Sequence, residues 1–174
     1  MKRVVFVLYF ILVLSTGYSP ALNDLSKYRD QEIYYLLSSS PSVPTRVAAI
    51  RTLGIRRSEF AVPYLVQLCY EHNREIRTAS IAALGRIQTP EALRTYYFFI
   101  WDRSKSVTVW DQIAAVNALG KYPYLNVQSL IDVLDLHPDF RVSLAAARSL
   151  QKRPELEAKY AVLSWQPFLS LFPR

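Results

Sequence analysis

The sequence predicts an all-α fold, a right-handed α-solenoid of about four stacked helical hairpins. Three observations lead there. A ten-residue pattern recurs as TRVAAIRTLG ending at Gly54, IRTASIAALG at Gly85, DQIAAVNALG at Gly120 and VSLAAARSLQ at Gln151, spaced 31, 35 and 31 residues apart. Periods of this length belong to helix pairs that bury their apolar faces only by stacking. Ser42, Asn73, Thr108 and Asp139, which play no part in defining the pattern, sit at equivalent places ahead of the four copies, and all are favoured helix N-caps. The composition agrees: 51% hydrophobic, 20% charged and only four glycines in 174 residues describe a folded, helix-leaning chain and exclude a disordered one.

Residues 1–21 open with Lys2 and Arg3, continue as an apolar run from Val4 to Leu14, and end in small residues, the three-part form of a secretory signal. Cleavage fits after Ala21, with Ser19, or after Gly17, with Ser15. The 11-residue run falls short of the roughly 20 needed to span a bilayer as a helix, so an uncleaved anchor has to borrow Ser15 to Leu22. The chain is therefore expected to be exported to the periplasm or cell envelope, either released or held by that segment. Its single cysteine, Cys69, permits no intramolecular disulfide, which leaves packing to hold the fold.

Residues 22–41 read as a capping helix, roughly Leu25 to Leu37, stopped ahead of Pro41 and packed on the first pair. The repeats follow over residues 42–163. In their first helices Ala48, Ala79, Ala114 and Ala145 share one position. Four residues on stand the equally small Thr52, Ala83, Ala118 and Ser149, so a neighbouring helix can approach closely. Leu53, Leu84, Leu119 and Leu150 form a core column, while Arg51, Ala82, Asn117 and Arg148 face away. Asp111, three residues after Thr108, suggests a capping box. Gly54, Gly85 and Gly120 are expected as left-handed C-caps.

Each second helix presents an inward face. Thr89, Pro90 and Glu91 start the second of them, whose face is Leu93, Tyr96, Tyr97 and Ile100. Its counterparts are Val62, Leu65, Val66 and Cys69 before it and Val127, Leu130, Ile131 and Leu134 after it. The fourth is looser, around Leu156, Tyr160 and Leu163. In the tail, residues 164–174, Trp165, Phe168, Leu169 and Phe172 have helical spacing and read as an apolar flap over the last repeat or as a partner-binding segment.

The pattern of apolar residue, Arg, alanines, "ALG" and "PEAL" resembles HEAT repeats, especially the short bacterial kind found in phycobilisome-lyase-like proteins. Ile76, Arg77, Ala79, Ala83, Leu84, Gly85, Pro90, Glu91, Ala92 and Leu93 carry the resemblance, which extends over about Ser42 to Leu163. The fourth copy departs from it, with Ser143 for Arg and Gln151 for Gly, as a terminal repeat does. The resemblance implies a solenoid used as a binding scaffold. Its relatives include bilin lyases and DNA glycosylases, but a fold does not transfer an activity, and an export signal argues against bilin and nucleic acid as partners.

The chemistry on offer is sparse. Cys69 and His72 are three residues apart and could form a nucleophile and base, but Cys69 occupies a core slot. His137 shares no short metal-binding motif with His72. Asp132 with Asp135, and Glu155 with Glu157, read as solvated helix faces, and no glycine-rich phosphate loop is present. The expectation is a non-enzymatic protein with no catalytic residues, metal or cofactor.

Two surfaces remain. Arg56, Arg57, Arg86, Lys121, Lys152 and Arg153 follow the first helices and should line one edge, where cations suit helix C-termini or engage an anionic lipid or glycan. The net charge of +7 agrees with anionic neighbours. The second surface is TYYFFIW, Thr95 to Trp101, in which Phe98 takes the slot of Gln67 and Asp132 and is expected to be exposed, with Tyr64 and Trp101 near it. The functional expectation is a scaffold that binds a protein or peptide through the concave face of its second helices, with an adaptor for anionic membrane or glycan as the alternative.

Overall fold

In the computed structural model, residues 22–104, 106–122 and 127–171 are described. The expected signal or anchor, residues 1–21, and Phe172 lie outside them. A short 3₁₀ helix, Leu22–Lys27, leads into α1 (Asp30–Ser39), α2 (Val43–Ile55), α3 (Val62–Leu68), α4 (Arg74–Ile87), α5 (Pro90–Trp101), α6 (Val109–Leu119), α7 (Gln128–Leu136), α8 (Phe140–Leu150), α9 (Leu156–Leu163) and α10 (Gln166–Leu171). A 3₁₀ turn, Glu59–Ala61, precedes α3, and no strand occurs among the described residues.

The helices form two layers. α2, α4, α6 and α8 stack on one another in sequence. On their other side, α1 packs on α2, α3 on α4, α5 on α6, α7 on α8, and α9 and α10 close over α8. The chain is an all-α solenoid of helical hairpins. Leu53, Leu84, Leu119 and Leu150 are each wholly buried between the layers, a burial that stabilises by about 1.5–3 kcal/mol per side chain.

All four expected N-caps start helices. Asn73 accepts from the amides of Glu75 and Ile76, Asp139 from Arg141, and Thr108 forms a reciprocal capping box with Asp111, whereas Ser42 makes no side-chain cap bond. Thr89 caps α5 through the amide of Ala92.

The glycines do something other than the sequence suggests. Gly54 and Gly85 lie inside helices, and Gly120 caps α6 with φ of −61°, an ordinary right-handed value. The left-handed positions belong to Arg57 (φ 53°) and Gln88 (φ 62°). The reason for glycine is contact. A Cβ on Gly54 would lie 2.7 Å from Cα and Cβ of Ala83, one on Gly85 3.0 Å from Cβ of Ala118, and one on Gly120 2.7 Å from Cβ of Ser149. Each glycine therefore receives the small residue of the next repeat.

Four further expectations change. The capping helix is broken: the 3₁₀ turn ends at Lys27, and α1 begins only at Asp30, with Arg29 and Glu32 in a capping box. The second-helix face is rotated by part of a turn, so that Leu68, Phe99 and Val133 are buried while Val66, Tyr97 and Ile131 are half-buried. Tyr97 Oη takes the Ser129 hydroxyl as its hydrogen-bond partner, which draws that ring away from the centre. Among the described side chains of α9, Ala158 and Val162 are buried and Leu163 is exposed, while the side chains of Leu156 and Tyr160 lie outside the description. Finally, the tail does fold back, Trp165 and Phe168 lying 5.4 Å and 5.6 Å from the Phe140 ring, yet Phe168 and Leu171 stay exposed.

Candidate functional site

The exposed face of the odd-numbered helices is set by register. Tyr35, Gln67, Phe98 and Asp132 form one column across α1, α3, α5 and α7, and Ser38, Tyr70, Trp101 and Asp135 the next; all eight are exposed. Phe98 is 74% exposed and makes no ring contact among the described residues, so a hydrophobic ring stands in solvent without local compensation. Trp101, 38% exposed, leans on the His137 ring at 5.4 Å. Tyr64 is half-buried and faces the other way along the stack, its ring 5.4 Å from Tyr34, which also meets Phe60 at 5.3 Å. The structure thus separates Tyr64 from the other two named aromatics. It adds Tyr35 and Tyr70, which the register reaches once it is extended into α1 and to the end of α3; Tyr70 meets the buried Phe99 ring at 5.2 Å.

Beside Trp101 a cleft of about 440 Å³ opens between the segment after α5 and the turn before α8. Trp101, His137 and Pro138 line it together with Val107, Val109 and Gln112. His137 holds its walls together: its Nε2 lies 3.1 Å from the Ile100 carbonyl and its Nδ1 accepts from the Asp139 amide at 3.1 Å, which fixes the Nε2–H tautomer. Asp139 is neutralised by Arg141 at 2.7 Å, and Asp102 accepts from the Ser104 amide through Oδ1 at 2.7 Å.

A buried polar slot explains where the cleft falls. Arg46, Arg77, Gln112 and Ser143 occupy equivalent places in α2, α4, α6 and α8. Arg77 is buried. It donates to the carbonyls of Glu71 and His72 and pairs across the repeat boundary with Asp111 at 3.1 Å. Gln112, at the corresponding place one repeat on, donates only to the Asp102 carbonyl at 2.8 Å, and where Asp111 stood there is Val142. The cleft thus opens at the junction where Gln112 stands in the place of that guanidinium.

Of the six cations expected on the basic edge, two are engaged in the fold. Arg56 donates to Asp30 and to the carbonyls of Leu25, Ser26 and Tyr28, while Arg153 pairs with Glu155 and donates to the Tyr122 carbonyl. Arg57, Arg86, Lys121 and Lys152 are exposed. Cys69 is buried, its thiol pushed up to about 12, first by burial and then by the Asp111 charge, which disfavours the thiolate a nucleophile needs. His72 is exposed on the turn. Among the described residues no group of three or more metal-ligating side chains occurs, and no helix is long and apolar enough to cross a membrane.

Residues 31–95, from α1 into α5, match the family model for HEAT repeats. No curated protein matches the chain.

Proposed function

We propose that this chain, whose residues 31–95 match HEAT repeats, a family whose stacked hairpins serve as scaffolds for protein interaction, is an exported, non-enzymatic scaffold that binds a protein or peptide on the concave face of its second helices, through the exposed columns of α1, α3, α5 and α7. The observation that carries this reading is Phe98, a large apolar ring 74% exposed on a rigid helix beside Trp101 and the cleft. Aromatic side chains in such settings are the anchors from which an interface draws most of its binding energy. Phe98 makes no ring contact among the described residues, and Trp101 meets only the His137 ring.

Replacing Phe98 and Trp101 with Ala should therefore abolish capture of a partner from an envelope extract of the native host while leaving the thermal transition nearly unchanged. Undiminished capture would place the interface elsewhere. An envelope-surface adaptor for anionic lipid or glycan draws less support, since the engagement of Arg56 and Arg153 leaves the edge with fewer cations to offer.

A further inference from the structure

The cleft beside Trp101 has a chemical preference, and from it we infer that the partner inserts an arginine side chain there; the inference rests on the scaffold reading and names what the scaffold recognises. Three features of the lining converge. Trp101 supplies an indole wall partly open to solvent, and an arginine plane stacks on such a ring better than any other cation. Gln112 is only 6% exposed, its amide nitrogen is committed to the Asp102 carbonyl, and its Oε1 has no partner among the described residues while remaining reachable by solvent. Asp102, at the mouth, commits Oδ1 to Ser104 and leaves its second oxygen without a partner among the described residues.

The cleft thus offers an aromatic wall, a neutral acceptor fixed at depth and a carboxylate at the rim, with Val107 and Val109 to cover an aliphatic stem. A guanidinium has in-plane donors for both acceptors, whereas an ammonium cannot stack and bridge them at once. Among the described residues, most of the surrounding charges are engaged or lie apart. Asp139 is held by Arg141, His137 is committed through both ring nitrogens, and the exposed Asp132 and Asp135 lie on the neighbouring α7. The exception is Arg103, which lines the cleft and makes no ion pair among the described residues, so it competes with an incoming arginine for Asp102.

The test is a titration of the ¹⁵N-labelled full-length protein. The probes are Nα-acetyl-arginine N-methylamide and its citrulline and lysine counterparts, and the Trp101 indole resonance is identified by its loss in Trp101→Phe. The expected result is a saturable shift of that resonance alone among the three indoles, with citrulline and lysine weaker by about tenfold, the loss expected when a stacked, charge-assisted contact is removed. Asp102→Asn keeps an acceptor for the Ser104 amide and should weaken the arginine probe while leaving citrulline unchanged, and Arg103→Gln should tighten it. Equal shifts with arginine and citrulline, or none at all, would overturn the inference. In that case extract capture that still depends on Phe98 and Trp101 would leave the scaffold reading standing.

Discussion

The junction between the α3–α4 turn and α6 and the junction one repeat further on, between the α5–α6 segment and α8, are built from equivalent positions and end up opposite in character. In the first, Arg77 spans the boundary, bonding two carbonyls of its own turn and Asp111 of the next repeat. In the second, Gln112 reaches only its own segment and Val142 has nothing to offer it. The first junction is sealed by an ion pair and the second keeps a cleft walled by Trp101 and His137. Both open and closed boundaries thus occur in one stack of like helices; the junctions differ in two side chains and in the α5–α6 connection, ten residues from Phe98 to the cap Thr108 against six from Gln67 to the cap Asn73.

The comparison can be broken most forcefully at the sealed junction. Asp111→Ala leaves a buried guanidinium uncompensated and should cost about 3–5 kcal/mol in denaturant unfolding. A cost near zero would mean that the pair does not seal the boundary. The open junction can be converted: Val142→Asp alone buries a carboxylate without a partner and should cost about 2–4 kcal/mol, and adding Gln112→Arg should recover at least about 1 kcal/mol of it in a double-mutant cycle. The double variant should also lose the Trp101 indole response to the arginine probe. The smallest effect distinguishes the slot from the stacking as the origin of the cleft. If the cleft came from loosely stacked first helices, Gly120→Ala would be easier to accommodate than Gly85→Ala. The contacts, 2.7 Å to Ser149 Cβ against 3.0 Å to Ala118 Cβ, give the reverse. Gly120→Ala should cost about 1–2 kcal/mol and Gly85→Ala less, part of each cost being offset by alanine's better helix propensity.

Repeat boundaries, caps and the leucine core were legible because each depends on residue type at fixed spacing, which Ser42, Asn73, Thr108, Asp139 and the four leucines display directly. The role of the glycines was not, because the same residue serves a left-handed turn and a close helix contact. Only the Ala83, Ala118 and Ser149 positions opposite decide between the two. Phe98 was legible as an exposed ring because its slot holds Gln67 and Asp132 in the neighbouring repeats. The ring contact of Tyr64 was not legible, since its partner Tyr34 comes from a segment outside the register used to place it. The engagement of Arg56 and Arg153 was hidden for a similar reason: their acceptors are mostly backbone carbonyls, which carry no residue signature.

The contacts at Gly54, Gly85 and Gly120 amount to a socket at the end of each first helix, and Ala83, Ala118 and Ser149 are the plugs that fill them. A hairpin can join this stack only if it brings a small plug, and can be followed by another of its kind only if it brings a glycine socket. The fourth hairpin has the plug, Ser149, but carries the exposed Gln151 where the socket would be. The same joint that lets three boundaries form therefore refuses a fourth, and the surface it leaves is covered by the unlike helices α9 and α10 instead of another copy.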